Sequence, residues 1–258
     1  MGLDPDPARL PEPLRERDPI EAVEAFLRRI VEATCDLVCS YKPNSAFYEA
    51  LGPEGFSLLQ RLIREILPEG IPVILDVKRG DIASTAQKYA EAAFEGLGAD
   101  AVTVNPYLGF DAVEPFLRYG DRGVFLLCRT SNPGARDLQD LPCEGKPLYQ
   151  RIAEKAREWQ AQAPGELGLV VGATYPEELA VVREIVGEEV LLLVPGVGAQ
   201  GGDLERAVRA AANSQGGNAI VNVSRGVLYA SSGADFAEAA RREAERLRAA
   251  IRDALGTE

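Results

Sequence analysis

The chain alternates short apolar runs with amphipathic segments. The runs are DLVCSYK (36–42), IPVILDVK (71–78), DAVTVNP (100–106), RGVFLLCRT (122–130), LGLVVGAT (167–174), EVLLLVPG (189–196) and NAIVNVSRG (218–226). They are nearly continuous in Val, Ile and Leu, the pattern of strands covered on both faces. Between them, apolar residues recur at helical spacing. In PIEAVEAFLRRIVEAT (19–34), Val23, Phe26, Leu27 and Ile30 fall on one stripe. The same reasoning predicts helices over 56–67, 83–96, 146–162, 175–186, 202–214 and 233–255, and a shorter one over 111–120.

Strands alternating with helices imply a parallel sheet clothed in helices. Seven strands are clear, and closing a barrel needs an eighth. Met1-Gly2-Leu3-Asp4 is the only candidate, so strand one is very short or the true start lies upstream. At 258 residues the expected fold class is α/β, a (β/α)8 TIM barrel with eight parallel strands. No linker or low-complexity block divides the chain, so one barrel domain over 1–258 is expected.

Chemistry in such a barrel sits at the C-terminal ends of the strands. Those ends read Asp4, Lys42, Asp76-Val77-Lys78, Asn105, Ser131-Asn132, Thr174, Pro195-Gly196 and Ser224-Arg225.

Composition narrows the chemistry. The chain has no histidine, which excludes a Ser-His-Asp triad, a Cys-His pair and a His-ligated zinc. Acid-base work falls to Asp, Glu, Lys, Tyr or Cys. A net charge of −12 speaks against a nucleic-acid partner, which needs a basic face. No apolar run reaches the roughly 20 residues of a membrane span and no signal-peptide pattern is present, so a cytoplasmic location is expected. Cys35, Cys39, Cys128 and Cys143 form no CxxC pair and read as buried free thiols.

DVKRGD (76–81) is the strongest local signal. Alternation along a strand places Ile74, Asp76 and Lys78 on one face and Val73, Leu75 and Val77 on the other. Two opposite charges then project into the barrel mouth. The plainer alternative is a salt-bridged pair closing that mouth, with Asp81 capping a helix that starts near Ile82. Carboxylates on either side suit Lys78 to act as a cation and proton donor, not as a Schiff-base amine.

GVGAQGG (196–202) matches G-x-G-x-x-G after a strand and before a helix. The next strand ends in Ser224-Arg225-Gly226 rather than in the acidic residue of a dinucleotide site. The loops after strands seven and eight are the usual phosphate site of a barrel, so a phosphate monoester is favoured over a dinucleotide or a merely tight turn. For Lys42, which precedes Pro43-Asn44, an ordinary exposed strand-end lysine is only the plainer alternative, whereas Ser131 in SNPGARD taken alone reads as a turn residue.

Taken together, these residues resemble the orotidine 5′-phosphate decarboxylase family over essentially the whole chain. The motifs GLDP (2–5), YKPNSAFYE (41–49), LDVKRGDI (75–82), NPYLG (105–109), TSNPGA (130–135), PGVGAQGGD (195–203) and SRG (224–226) follow the family's order. The KPN and KRGD variants resemble its bacterial type 2 subgroup. The resemblance implies conversion of orotidine 5′-monophosphate to UMP and CO2 in pyrimidine biosynthesis, with no cofactor and no metal. It implies that Asp4 and Lys42 contact the ribose hydroxyls, that Asp76 sits beside the substrate carboxylate, and that Lys78 protonates C6. It further implies a homodimer in which Asp81, Ile82 and Thr85 reach the partner's site. Ser131 would meet the pyrimidine edge, Gln200 and Arg225 the phosphate, with Pro195 and Ser224 lining the site. Many relatives carry Gly where Ser224 stands.

The Asp-Lys-Asp core is shared with a wider group of barrels, which leaves rivals. One is a sugar-phosphate enzyme with a Mg²⁺-stabilised enediolate. A second is a class I aldolase with Lys78 as Schiff base. A third is a non-catalytic nucleotide-binding barrel.

Overall fold

The computed structural model describes residues 1–197 and 203–256. Eight parallel strands follow in chain order: β1 (Gly2–Leu3), β2 (Lys42–Pro43), β3 (Ile74–Arg79), β4 (Ala101–Val104), β5 (Gly123–Arg129), β6 (Glu166–Val171), β7 (Leu192–Pro195) and β8 (Ala219–Asn222). After each comes a helix: α1 (Pro19–Thr34), α2 (Gly52–Arg61), α3 (Ala83–Glu91), α4 (Phe110–Leu117), α5 (Leu148–Gln160), α6 (Pro176–Val186), α7 (Leu204–Ala211) and α8 (Phe236–Leu255).

β3 to β8 form one continuous sheet, and β1 pairs separately with β2. Bridges from Tyr41 to Val73 and from Asn44 to Asp76 attach that pair to β3. On the other side the Gly2 N–H donates to Val223 O at 2.8 Å, just past β8. The ring is thereby closed as the alternation of elements predicts, but it is thin at β1. A Cβ on Gly2 would lie 1.7 Å from Ser224 Oγ, so only glycine lets the two ends of the barrel approach this closely.

Ile74, Ala101, Phe125, Val170 and Leu193 form an inward-facing apolar layer drawn from five successive strands. Their neighbours in sequence face outward and pack under the helices, as Val102, Val104, Leu126 and Leu169 do. Each such fully buried side chain contributes about 1.5–3 kcal/mol. Asp18 caps α1 by accepting from Ile20 N and Glu21 N, and Pro19 opens the helix. Its apolar stripe meets the last helix through Phe26 and Phe236, whose rings lie 5.4 Å apart.

Several boundaries differ from the sequence expectation. The strand expected at 36–42 is a turn over its first part: Cys35 N–H returns to Val31 O and Leu37 N–H to Thr34 O, so α1 unwinds into the space where a longer strand would run. The helices expected at 56–67 and 83–96 each change to a wider π turn, at Leu62–Ile66 and Ala92–Leu97. Lys146 and Pro147 do not start a helix but pair antiparallel with Pro142 and Cys143 in the long loop after β5. Of the four free cysteines only Cys128 is buried; Cys35, half-buried, and Cys39, exposed, lie in the turn after α1, and Cys143 is exposed on the two-residue strand of the long loop. Asp81 does not cap α3 from its side chain; its carboxylate accepts only from the adjacent Ile82 N–H, at 2.8 Å.

Candidate active site

Asp76 stands above Ile74 on the inward face of β3, as strand alternation predicts. It is buried, and four donors converge on it. Lys42 Nζ lies 2.6 Å from Oδ2 and Lys78 Nζ lies 2.5 Å from Oδ1. Thr103 Oγ1 donates to Oδ1 at 2.9 Å, and Asn44 Nδ2 donates to Oδ2 at 3.3 Å. Lys42 comes from β2 and Thr103 from β4, so the barrel's curvature brings three strands to one carboxylate.

The two lysines are unequal. The Lys42 side chain is 6% exposed, whereas that of Lys78 is 45% exposed and free to meet a ligand. The short β2 tucks Lys42 inside, which removes the plainer alternative of an ordinary exposed strand-end lysine. Lys78 has φ 45°, a left-handed backbone that a residue with a Cβ adopts only at a cost of about 1–2 kcal/mol. The β3–β4 register shifts between Leu75 and Arg79, and the Lys78 N–H leaves the ladder to donate to Thr103 Oγ1 at 2.9 Å. The bulge ends the regular alternation and turns Lys78 back over Asp76.

Burial alone pushes the Asp76 carboxyl upward. The charges of Lys42 and Lys78 and their hydrogen bonds outweigh that and hold it down at about 2. The carboxylate is thus ionised at neutral pH.

Above this cluster lies a cavity of about 540 Å³, lined by Lys42, Asp76, Lys78, Thr103, Ser131 and Pro195, with Leu127, Val170 and Leu193 as an apolar floor. A second lobe of about 210 Å³ is lined by Asp4, Lys42, Ser131, Pro195, Ser224 and Arg225. Lys42, Ser131 and Pro195 line both lobes, which makes one site with a charged, largely apolar end and a polar end. In the polar lobe Asp4 accepts from Asn44 N at 3.2 Å and from Ser224 Oγ at 2.5 Å. Arg225 is exposed there at the start of a short helical turn, Arg225–Leu228.

The structure thus gathers Asp76, Lys78, Lys42, Asp4, Ser131, Pro195, Ser224 and Arg225. It does not bring in Asp81, Ile82 or Thr85, which line neither lobe; Ile82 is 55% exposed to solvent. Gln200 lies outside the described residues, as do Gly198 and Gly201 of the glycine motif. Sequence reasoning missed Thr103 and Asn44. Thr103 was readable as the lone polar residue in a buried strand, on the face two residues beyond Ala101. Asn44 carried no comparable signal, since its turn also uses the side chain to accept from Ala46 N.

The model of the family described as "Orotidine 5'-phosphate decarboxylase / HUMPS family" matches residues 1–242. A relative from Roseiflexus castenholzii named orotidine 5′-phosphate decarboxylase is 56% identical over 257 residues, covering 99% of this chain and 92% of that protein. The solved Leishmania donovani OMP decarboxylase is 41% identical with a TM-score of 0.82, covering 97% of this chain and 92% of that one. Leishmania donovani UMP synthase superposes with a TM-score of 0.84 at 43% identity, covering 96% of this chain and 52% of that longer one. With a barrel of the same topology and matches running nearly end to end, this chain belongs to the orotidine 5′-phosphate decarboxylase / HUMPS family.

Proposed function

We propose that this chain carries out the decarboxylation that its relatives are named for, turning orotidine 5′-monophosphate into UMP and CO2, and that Lys78 is its proton donor. The observation that carries the assignment of roles is the Asp76–Lys78 pair. Both cations on Asp76 line the larger lobe, but Lys78 is far more exposed to it, at 45% against 6% for Lys42. When the bond from C6 to the carboxylate breaks, its electron pair stays on C6 in the plane of the ring, where no π system can absorb it. A fixed ammonium beside that carbon stabilises the developing charge and then transfers a proton to C6, giving UMP. Solvent restores the proton to Lys78.

Asp76 aims the ammonium. Its own charge is held by Lys42, Thr103 and Asn44, so it need not move during the reaction. The polar lobe takes the ribose and the phosphate: Asp4 and Lys42 face the hydroxyls, and Arg225 and the loop containing Gln200 the phosphate. That end is remote from C6, so its binding energy is available to be spent at the reacting carbon and to exclude water.

We further infer a homodimer. Ile82 is exposed, and so are Tyr107 and Leu108 on the next loop, which runs alongside through the Asn105 N–H to Arg79 O bond of 2.7 Å. Apolar side chains on neighbouring loops beside a site are the mark of a partner surface. Asp81 and Thr85 would enter the partner's site from there. A cytoplasmic location fits a chain in which, among the described residues, no helix is long and apolar enough to cross a membrane.

A spectrophotometric assay on orotidine 5′-monophosphate, with and without EDTA, tests the reading. Turnover that survives EDTA is expected. Turnover of a sugar phosphate that EDTA abolishes would instead favour the enediolate enzyme.

A further inference from the structure

We propose that Gln139, braced by the buried Arg129, is a positioning residue that sets the Ser131 loop against the base of the nucleotide; this rests on the reading of the two-lobed cavity as a nucleotide site. Gln139 lies eight residues beyond Ser131, on the return limb of the loop after β5. Its side-chain amide holds Thr130 at two points. Oε1 accepts the Thr130 N–H at 2.8 Å, and Nε2 donates to Thr130 Oγ1 at 2.8 Å. The same Thr130 hydroxyl donates to Asn132 Oδ1 at 2.6 Å. Ser131 is therefore flanked on both sides by residues tied to one amide.

Gln139 is itself fixed. Its backbone N–H donates to Ala135 O at 2.8 Å, and its carbonyl accepts from Tyr149 N at 3.0 Å. Arg129 Nη1 reaches Gln139 Oε1 at 3.4 Å and Thr130 O at 3.2 Å, and Nη2 reaches Asp140 at 3.3 Å. This guanidinium is fully buried and lies 4.5 Å over the Tyr175 ring. Burying a cation costs several kcal/mol unless its partners recover it, so a surface loop would not ordinarily be anchored this way.

The far side of the loop is equally constrained. A Cβ on Gly172 would sit 2.8 Å from Ser131 Cβ, so β6 packs its backbone directly against Ser131. Ser131 is thus held between Gly172 and the Gln139 amide, at the junction of the two lobes. A brace that served stability alone would weaken every ligand alike. One that positions Ser131 acts on the base and spares the sugar phosphate.

The test compares UMP with ribose 5-phosphate, which shares its phosphate and ribose but lacks the base, by calorimetry on Gln139→Ala and Gln139→Glu. Gln139→Ala is expected to weaken UMP about five- to tenfold, as for one lost hydrogen bond, and ribose 5-phosphate less than twofold. Gln139→Glu keeps the acceptor for the Thr130 N–H and for Arg129 and is expected to recover most of the loss. Should Gln139→Ala fold poorly, Thr130→Val removes the hydroxyl with its bonds to Gln139 and Asn132, keeps the Thr130 N–H bond to Gln139, and is expected to shift UMP in the same direction. Equal losses for both ligands, no loss, or a Gln139→Glu variant as weak as Gln139→Ala would each overturn the proposal. A wild-type protein that binds no UMP would overturn the nucleotide reading along with it.

Discussion

Thr103 Oγ1 accepts the backbone N–H of Lys78 at 2.9 Å, and so holds in place a residue with φ 45°. The same hydroxyl donates to Asp76 Oδ1. One side chain on β4 therefore sets both the path of the bulge and the orientation of the carboxylate that aims Lys78. Thr103→Val keeps the shape and removes both bonds. It is expected to lower kcat about tenfold or more while leaving KM within about threefold, since it disturbs a transition-state contact more than a ground-state one. Steady-state kinetics decide this, and a change confined to KM would show that Thr103 only shapes the pocket.

Lys78→Ala is expected to abolish nearly all turnover and leave UMP affinity largely intact, because in the proposed mechanism Lys78 acts on charge that develops only as CO2 leaves. Single-turnover assays alongside UMP calorimetry separate the two. Turnover within about tenfold of wild type would remove Lys78 from the catalytic role.

Arg225→Ala is expected to weaken UMP by about 2–4 kcal/mol, the scale of a lost charge-assisted contact to phosphate. Uridine should hardly respond. Equal losses for UMP and uridine would place the phosphate elsewhere.

Asp76 makes stability depend on pH at the acid end. Its folded carboxyl is held at about 2, below the unfolded value near 3.9. Such a group stabilises the fold fully above the unfolded value, and the contribution fades as pH falls through the folded one. The size is on the order of 2 kcal/mol. Denaturant melts between pH 5 and 2 are expected to show this loss. Asp76→Asn leaves Lys42 buried without its counter-charge, so that variant should be weaker at neutral pH but flatter across the acid range. Parallel curves for the two proteins would contradict the assignment.

Two inactive variants, Lys78→Ala and Asp81→Asn, test the shared site. In a mixed dimer one site would receive Lys78 from one chain and Asp81 from the other, and the second site would lack both. Random reassembly at equal amounts makes roughly half of the dimers mixed, so activity should recover to about a quarter of wild type. The subunits must be unfolded and refolded together. Mixed dimers confirmed by mass spectrometry without recovered activity would place Asp81 in its own chain's site.

Much of this was legible in the chain itself. The order of apolar runs and amphipathic segments yields the barrel, because a doubly covered strand and a one-sided helix leave different periodicities. Alternation places Asp76 inward over Ile74. It fails at Lys78, since a register shift depends on the neighbouring strand and leaves no mark in β3 alone. The depth of Lys42 was hidden because only pairing with β1 and β3 draws that short strand inside. Thr103 was visible as a polar residue in an apolar strand, but its bond to Asp76 needed the pairing of β3 with β4.

The thin closure at β1 has a consequence for how the protein is made. Asp4 and Ser224, which meet across that seam at 2.5 Å, are among the most distant residues in the chain. Contacts of such separation form late, and β8 is the last of the strands to be synthesised. A nascent chain released only as far as β7 already contains Lys42, Asp76, Thr103 and Lys78, but the lobe at Ser224 and Arg225 does not yet exist. The residues of the Asp76 cluster are therefore made well before the Ser224 and Arg225 end of the cavity. That end of the cavity and ring closure arrive together, with the residues that precede α8.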